Sequence, residues 1–380
     1  MHRGTNGAKA TYSGYANMKF VVEAESVEAS APRYPGMDCR ERDQLKQVRN
    51  DPMRRFLPTP YFAHLPVMGS AVRLETNNSK LLTHMVELFA RYPAPLNESP
   101  TFLWRIVADA NVPFCQPWPR RSTFSDDGLR FAQFGQKNFL AVDIEAREGI
   151  AFAAEGLVED ALGFTSPFID TLFYMTAGSL GLVPFTAACV SSGTKGLLVV
   201  GPPNQGKTTA SYLAAQGGLR FHADQSVFLE IVRGGLRAWG DFVPVAFRPE
   251  TLKFLPDLQS RTRSFSYCDF NFYYMLKDRL DSAPPGFVTP ICCVFLERES
   301  SAVPRLVRLA NSYSSDLLSD YIAFKDDERF EMQRVAILSA LSHLPAYHLA
   351  YDSNPATAAP FLRHLLTSHD AQRSSQSEGS

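Results

Sequence analysis

Gly201-Pro202-Pro203-Asn204-Gln205-Gly206-Lys207-Thr208 follows the spacing G-x-x-x-x-G-K-[ST]. Each residue type in that pattern has a task in holding a phosphate chain. The glycines permit backbone torsions that a side chain would forbid. The loop can then turn its N–H groups inward around phosphate oxygens. Lys207 supplies a point charge for the β and γ phosphates, and the Thr208 hydroxyl is placed to ligate Mg²⁺. A helix starting at Lys207 adds its positive N-terminal end. Pro202 and Pro203 stiffen the loop and remove two N–H donors. The plain alternative is a Gly-rich turn that binds nothing.

Further candidates lie downstream. Asp224 follows the strand-like run Leu219 to Ala223, where a carboxylate could hold the metal or polarise an attacking hydroxyl. His222 shares its face, and a packed histidine is the simpler reading there. Glu297 and Arg298 follow the apolar run Ile291 to Leu296. An acid at such a strand end is where ordinary P-loop NTPases keep a second metal carboxylate; a solvated strand end is the equal alternative. Arg248 and Lys253, in Phe247-Arg248-Pro249-Glu250-Thr251-Leu252-Lys253, could neutralise charge developing on a transferred group, or could simply begin a solvated helix.

These residues need elements to position them. Gly196 to Val200 is short and wholly apolar, as expected of a strand buried on both faces, and Thr208 to Gln216 supplies the helix after the loop. Phe185 to Val190 reads as a strand and Ser191 to Lys195 as a turn. Leu219 to Ala223, Val227 to Val232, Ile291 to Leu296 and Tyr347 to Ala350 read as further strands. Asp327 to Leu341 has helical spacing, with Phe330, Val335, Ile337, Leu338 and Leu341 able to line one side, and Thr357 to Leu366 is a last helix. Strands alternating with helices predict an α/β nucleotide-binding core.

Before this block the pattern is α+β. Ala71 to Glu75 reads as a strand, and Asn78 or Ser79 caps a helix that places Leu81, Leu82, Met85, Leu88 and Phe89 on one face. Strand-like runs follow at Phe102 to Val107, Leu129 to Phe134 and Phe139 to Ile144. The Pro-rich loop Pro113 to Pro119 interrupts them. Pro167 to Leu182 is apolar and helix-length. The expected organisation is a poorly ordered segment over 1–50 with one short strand at Phe20 to Glu23, an α+β domain over 51–183, the P-loop domain over 184–367, and a flexible tail over 368–380.

Composition narrows the class. The 380 residues are 45% hydrophobic and 20% charged, which is globular and excludes collagen-like, wholly disordered and coiled-coil chains. Lys plus Arg is 38 against 39 Asp plus Glu, so a dedicated nucleic-acid binder is not expected. No stretch reaches the roughly 18 apolar residues of a membrane span. The start of the chain has no apolar h-region, so no secretory signal is read. Cys39, Cys115, Cys189, Cys268, Cys292 and Cys293 form no C-x-x-C pair, which argues against zinc or a disulfide framework. A reduced, cytoplasmic protein is the expectation, with most cysteines serving as small core residues.

Leu197 to Leu229, LLVVGPPNQGKTTASYLAAQGGLRFHADQSVFL, resembles HPr kinase/phosphorylase and its looser HPr-kinase-like relatives. Strand, P-loop, short helix, Gly-containing turn and a second strand ending at an acidic residue occur in that family's order. Val245 to Lys253 resembles its proline- and arginine-bearing segment, and Leu344 to Leu366 its closing strand and helix. The resemblance covers residues 184 to 366, and the P-loop is its specific part. It implies a fold akin to the phosphoenolpyruvate carboxykinase core. It also implies Mg²⁺-dependent phosphoryl transfer from ATP or another nucleoside triphosphate to a hydroxyl of a protein, peptide or small molecule, in a family that often assembles into homo-oligomers.

Carried over residue by residue, Gly201, Gly206, Lys207 and Thr208 match the phosphate loop, and Asp224 matches the first Asp of the family's Asp-Asp pair. Asn204, Gln205 and Thr209 complete the expected nucleotide-binding set, Thr208 and Asp224 the metal set. Asp224, Lys207 and Arg248 are the expected catalytic residues. Two departures stand out. The second Asp is Gln225, which can neither act as a base nor carry negative charge, and the His before the P-loop is replaced by Thr186. Both strip proton-transfer capacity, so the phosphorylase reaction is not expected. Phosphoryl transfer depends mainly on positioning and electrostatics, so a kinase remains the first reading. A nucleotide-binding, catalytically weak regulator or scaffold and a P-loop NTPase using Glu297 are the alternatives.

Overall fold

The computed structural model describes residues 59–95, 99–110, 118, 121–135, 137–267, 270–275, 286–299, 303–310, 316–324 and 327–367. The expected features at 1–50, including the Phe20 to Glu23 strand, lie outside the described residues, as do the 368–380 tail, most of the Pro113 to Pro119 loop, and Cys39, Cys115 and Cys268.

The first sheet contains β1 (Tyr61–Val67), β2 (Ser70–Thr76), β3 (Phe102–Asp109), β4 (Arg121–Asp126), β5 (Leu129–Phe134), β6 (Asn138–Asp143) and β7 (Glu148–Ala154). Their spatial order is β1-β2-β3-β7-β6-β5-β4. The β2–β3 and β3–β7 pairs are parallel, and the remaining pairs antiparallel. Strict alternation in β3 buries Phe102, Trp104, Ile106 and Ala108 on one side, as a half-buried strand requires. Helix α1 (Ser79–Phe89) covers that side; Asn78 caps it by accepting from the Leu81 N–H, and Leu81, Met85, Leu88 and Phe89 are buried. The apolar stretch expected from Pro167 forms short helical turns, Asp170–Thr176 and Ala177–Leu180 among them, against the same side.

The second sheet holds β8 (Val183–Phe185), β9 (Ala188–Ser192), β10 (Lys195–Val200), β11 (Arg220–Ala223), β12 (Val227–Val232) and β13 (Gly235–Gly240). A small three-stranded sheet follows, made of β14 (Val245–Phe247), β15 (Arg263–Tyr267) and β16 (Phe270–Met275). The chain then returns to the second sheet with β17 (Phe287–Arg298), β18 (Arg305–Arg308) and β19 (Ala346–Tyr351). The order is β11-β9-β10-β17-β13-β12-β8, with β19 also on β17 and β18 on β19. Only β10–β17 and β17–β19 are parallel. Helix α2 (Lys207–Gln216) follows β10, and α3 (Pro249–Phe254) follows β14. Helix α4 (Glu331–Ser342) precedes β19, and α5 (359–367) closes the described chain.

Two expectations need correction. Phe185 to Val190 is not one strand. Val183–Phe185 pairs with β12 and Ala188–Ser192 with β10 and β11, so the chain changes neighbours at Thr186 and Ala187, where the Thr186 N–H donates to the Tyr321 carbonyl. Within the helical stretch, Glu328–Phe330 is a separate tight turn before α4, and Val335 is 51% exposed while Ile337 and Leu341 are buried.

One apolar cluster runs from the first sheet into the second. Trp104, Phe89 and Phe173 meet Phe228, Trp239 and Phe242, and the Tyr92 hydroxyl donates to the Gly240 carbonyl at 2.8 Å. Arg130, almost fully buried, pairs with Asp327 at 2.6 Å and lies over the rings of Phe324 and Phe330.

Candidate functional site

Strand β10 is buried from Gly196 onward between β9 and β17. It delivers the chain to a loop with three left-handed residues, Gly201 (φ +148), Asn204 (φ +69) and Gly206 (φ +78). At Gly201 a Cβ would lie 2.6 Å from the Leu296 carbonyl oxygen, and at Gly206 it would run into the Tyr351 hydroxyl. These two glycines therefore answer to space as well as torsion.

Lys207 opens α2, and its side chain folds back over the loop. Its Nζ donates to the Gly201 carbonyl at 2.7 Å and the Pro202 carbonyl at 3.0 Å. Burial lowers its pKa from 10.5 to about 8, against the opposing pull of Asp224. Desolvation outweighs the attraction of Asp224.

The Thr208 hydroxyl donates to Oδ1 of Asp224. Oδ2 accepts the Ala246 N–H at 3.2 Å, and the carboxylate is 3% exposed. The topology explains this meeting. β11 pairs with β9, β9 pairs with β10, and Asp224 follows the last residue of β11. A hydroxyl and a carboxylate in contact are a suitable hard-oxygen pair for Mg²⁺, which commonly takes one or two carboxylates and completes its shell with water and phosphate. Among the described residues no group of three or more His, Cys, Asp or Glu is placed to hold a metal.

The other expected residues are placed as follows. Thr209 is buried in the first turn of α2. Gln205 is turned inward, its Oε1 accepting the Arg298 N–H at 2.6 Å and its carbonyl accepting the Tyr351 hydroxyl at 2.8 Å. The Arg298 guanidinium donates to the Asn204 carbonyl at 3.0 Å. Arg248 is exposed at the N-cap of α3, two residues beyond the amide that holds Asp224, and Lys253 is exposed in the same helix. Gln225 is half-buried beside Asp224. His222 is buried against the Ser191 hydroxyl at 2.7 Å, and Glu297 is exposed and pairs with His348 at 2.7 Å. Cys292 and Cys293 are buried in β17, and burial pushes the Cys292 thiol up to about 12 and that of Cys293 upward as well. Neither is a nucleophile.

Three partners of the site were not legible in the sequence. The Ala246 amide carries no side-chain signal. Tyr351 stands at the end of an apolar strand like any core aromatic. Arg298 is visible as a strand-end cation, but its grip on Asn204 and Gln205 depends on the parallel pairing of β10 with β17.

No family model matches this chain, and no curated protein matches it. Among solved structures, the HPr(Ser) kinase/phosphatase from Coxiella burnetii gives a weak positive match. It covers 52% of this chain and 94% of that one at 9% identity, with a TM-score of 0.28. No helix among the described residues is long and apolar enough to cross a membrane.

Proposed function

We propose that this chain is a Mg²⁺-dependent kinase that binds ATP at the 201–208 loop and transfers the γ-phosphate to a hydroxyl of a protein, peptide or small molecule. The observation that carries this reading is the Thr208–Asp224 contact beside a lysine folded over a Gly-rich loop between a buried strand and a helix.

The chain's own groups would act as follows. N–H groups of the loop and of the first turn of α2 bind phosphate oxygens, while Pro202 and Pro203 contribute none. Lys207 exchanges the carbonyls of Gly201 and Pro202 for β and γ oxygens. Thr208 and Asp224 would hold the metal, which would supply positive charge to offset that of the phosphates. Asp224 lies within the same site to orient the acceptor hydroxyl. Arg248, exposed and near the Asp224 side, stabilises the charge spread over the transferring group. The acceptor oxygen forms its bond to the γ phosphorus, the bond to the β–γ bridging oxygen breaks, and ADP leaves. The acceptor proton passes to Asp224 or to solvent. Gln225 leaves the site with one carboxylate where the family it resembles has two, which favours a slow catalyst.

Calorimetry with Mg-ATP tests this, with wild type beside Lys207→Ala and ADP production followed in the same samples. Binding lost in the variant, followed by phosphate incorporation in a screen of peptides and free hydroxy amino acids, is the expected result. Absence of binding in the wild type would overturn the reading. Binding without incorporation would move the assignment to a nucleotide-binding regulator, and brisk ADP release without an acceptor to an NTPase.

A further inference from the structure

We propose that Arg298 and Tyr351 are positioning residues that hold the phosphate loop in its binding shape before any ligand arrives. This rests on the nucleotide reading above and adds two residues from outside the motif.

The starting observation is Asn204, a residue with a side chain held at φ +69 at the turn of the loop. That conformation is unfavourable for a non-glycine residue, though asparagine tolerates it better than most. It persists where surrounding structure over-determines it. The loop cannot brace itself there with the two residues before Asn204, because Pro202 and Pro203 have no N–H. The bracing comes instead from two neighbouring strand ends. Arg298 donates its backbone N–H to the Gln205 side chain and its guanidinium to the Asn204 carbonyl. Tyr351 donates its hydroxyl to the Gln205 carbonyl and lies directly against Gly206. Arg298 and Tyr351 are register partners across the parallel β17–β19 pair, so the grips form one unit.

Chemistry suits the roles. The Tyr351 phenol is pushed up to about 12 by burial, so it remains a protonated donor. The guanidinium is always charged and planar, and it places a positive charge at the loop that no loop side chain other than Lys207 supplies. With Asn204 and Gln205 already fixed, the loop amides do not have to be ordered when phosphate binds, which is the general advantage of preorganisation.

The test uses the full chain with Arg298→Ala, Arg298→Lys and Tyr351→Phe. Mg-ADP affinity is read by calorimetry, and hydrogen exchange of the loop amides is read without ligand. Arg298→Ala and Tyr351→Phe should each weaken Mg-ADP binding about tenfold, the size of one charge-assisted or well-placed hydrogen bond. Loop amides from Asn204 to Lys207 should exchange faster, with β10 and the body of α2 unchanged. The backbone N–H contact to Gln205 survives in both Arg298 variants, so Arg298→Lys, which also keeps the charge, should recover part of the affinity that Arg298→Ala loses. Unchanged affinity and unchanged loop exchange overturn the positioning role while leaving the nucleotide reading intact. Faster exchange throughout β10 and α2 shows a general strut and also overturns it. A wild-type chain that binds no Mg-ADP or Mg-ATP overturns both readings together.

Discussion

Lys207 couples phosphate binding to protons. Its pKa of about 8, against 10.5 ordinarily, means that folding desolvates the ammonium by more than Asp224 compensates. The folded pKa is lowered, so the unfolded chain holds more protons between about pH 8 and 10.5, and stability rises with pH across that window. Below pH 8 the penalty is fully present. At 1.36 kcal/mol per unit, the 1.5 units between pH 8 and 9.5 correspond to about 2 kcal/mol. Lys207→Met lacks this term. Chemical denaturation of both proteins at pH 7.5 and 9.5 should show wild type gaining about 2 kcal/mol relative to the variant.

Phosphate reverses the shift, because an anion beside the ammonium restores its charged form. Mg-ADP binding should therefore take up protons above pH 8 and weaken about 30-fold by pH 9.5, the same 2 kcal/mol read as affinity. Calorimetry in buffers of different ionisation enthalpy measures the uptake directly. Affinity that stays flat from pH 7 to 9.5, with parallel stability curves for the two proteins, would refute the reasoning.

Other outcomes follow from single contacts. Thr208→Ala and Asp224→Asn should each abolish the Mg²⁺ dependence of nucleotide binding, while Thr208→Ser keeps it; titrations with and without the metal decide this. Gly206→Ala should cost on the order of 2 kcal/mol through torsion and the Tyr351 contact, and a Tyr351→Phe background should reduce that cost in a double-mutant cycle by denaturation. Arg130→Met should lower stability by about 2 kcal/mol, because Asp327 loses its charged hydrogen-bond partner in the core and keeps only Arg329; equal denaturation midpoints would contradict it. Cys292 and Cys293 should resist alkylation in the native protein and react in denaturant.

The parts of the fold readable from sequence were those with local causes. β5 and β12 match the expected spans, since Leu129–Phe134 and Val227–Val232 carry their own apolar pattern. The buried face of α1 was equally plain, and its cap was narrowed to Asn78 or Ser79, of which the structure has Asn78. β4 was missed because Arg121–Asp126 is polar and largely exposed, a strand made by pairing with β5 rather than by burial. The break at Thr186 was missed because Phe185 to Val190 is apolar apart from Thr186, a residue that strands readily accept, and only the choice of partner strand divides it. At the candidate site the motif residues announced themselves through backbone needs written into glycine, lysine and threonine. Their braces did not, because Arg298 and Tyr351 reach the loop, and the Ala246 amide reaches Asp224, through tertiary pairing.

β17 is a 12-residue strand whose two ends answer to different parts of the protein. At Phe287 and Val288 it pairs with β13, and the Phe287 ring meets Trp239 in the aromatic joint between the two sheets. At its far end Arg298 grips the loop. In between, β10 and β19 fix its register from both flanks. The strand is thus a ruler about 40 Å long, with the inter-sheet joint at one mark and the phosphate loop at the other. β17 carries one extra residue, Ile291, where its register against β10 shifts; losing a residue beyond it would turn the following side chains to the opposite face and carry Arg298 off Asn204. Its length is consequently among the least negotiable quantities in the chain, and insertions belong in the connections on either side of it.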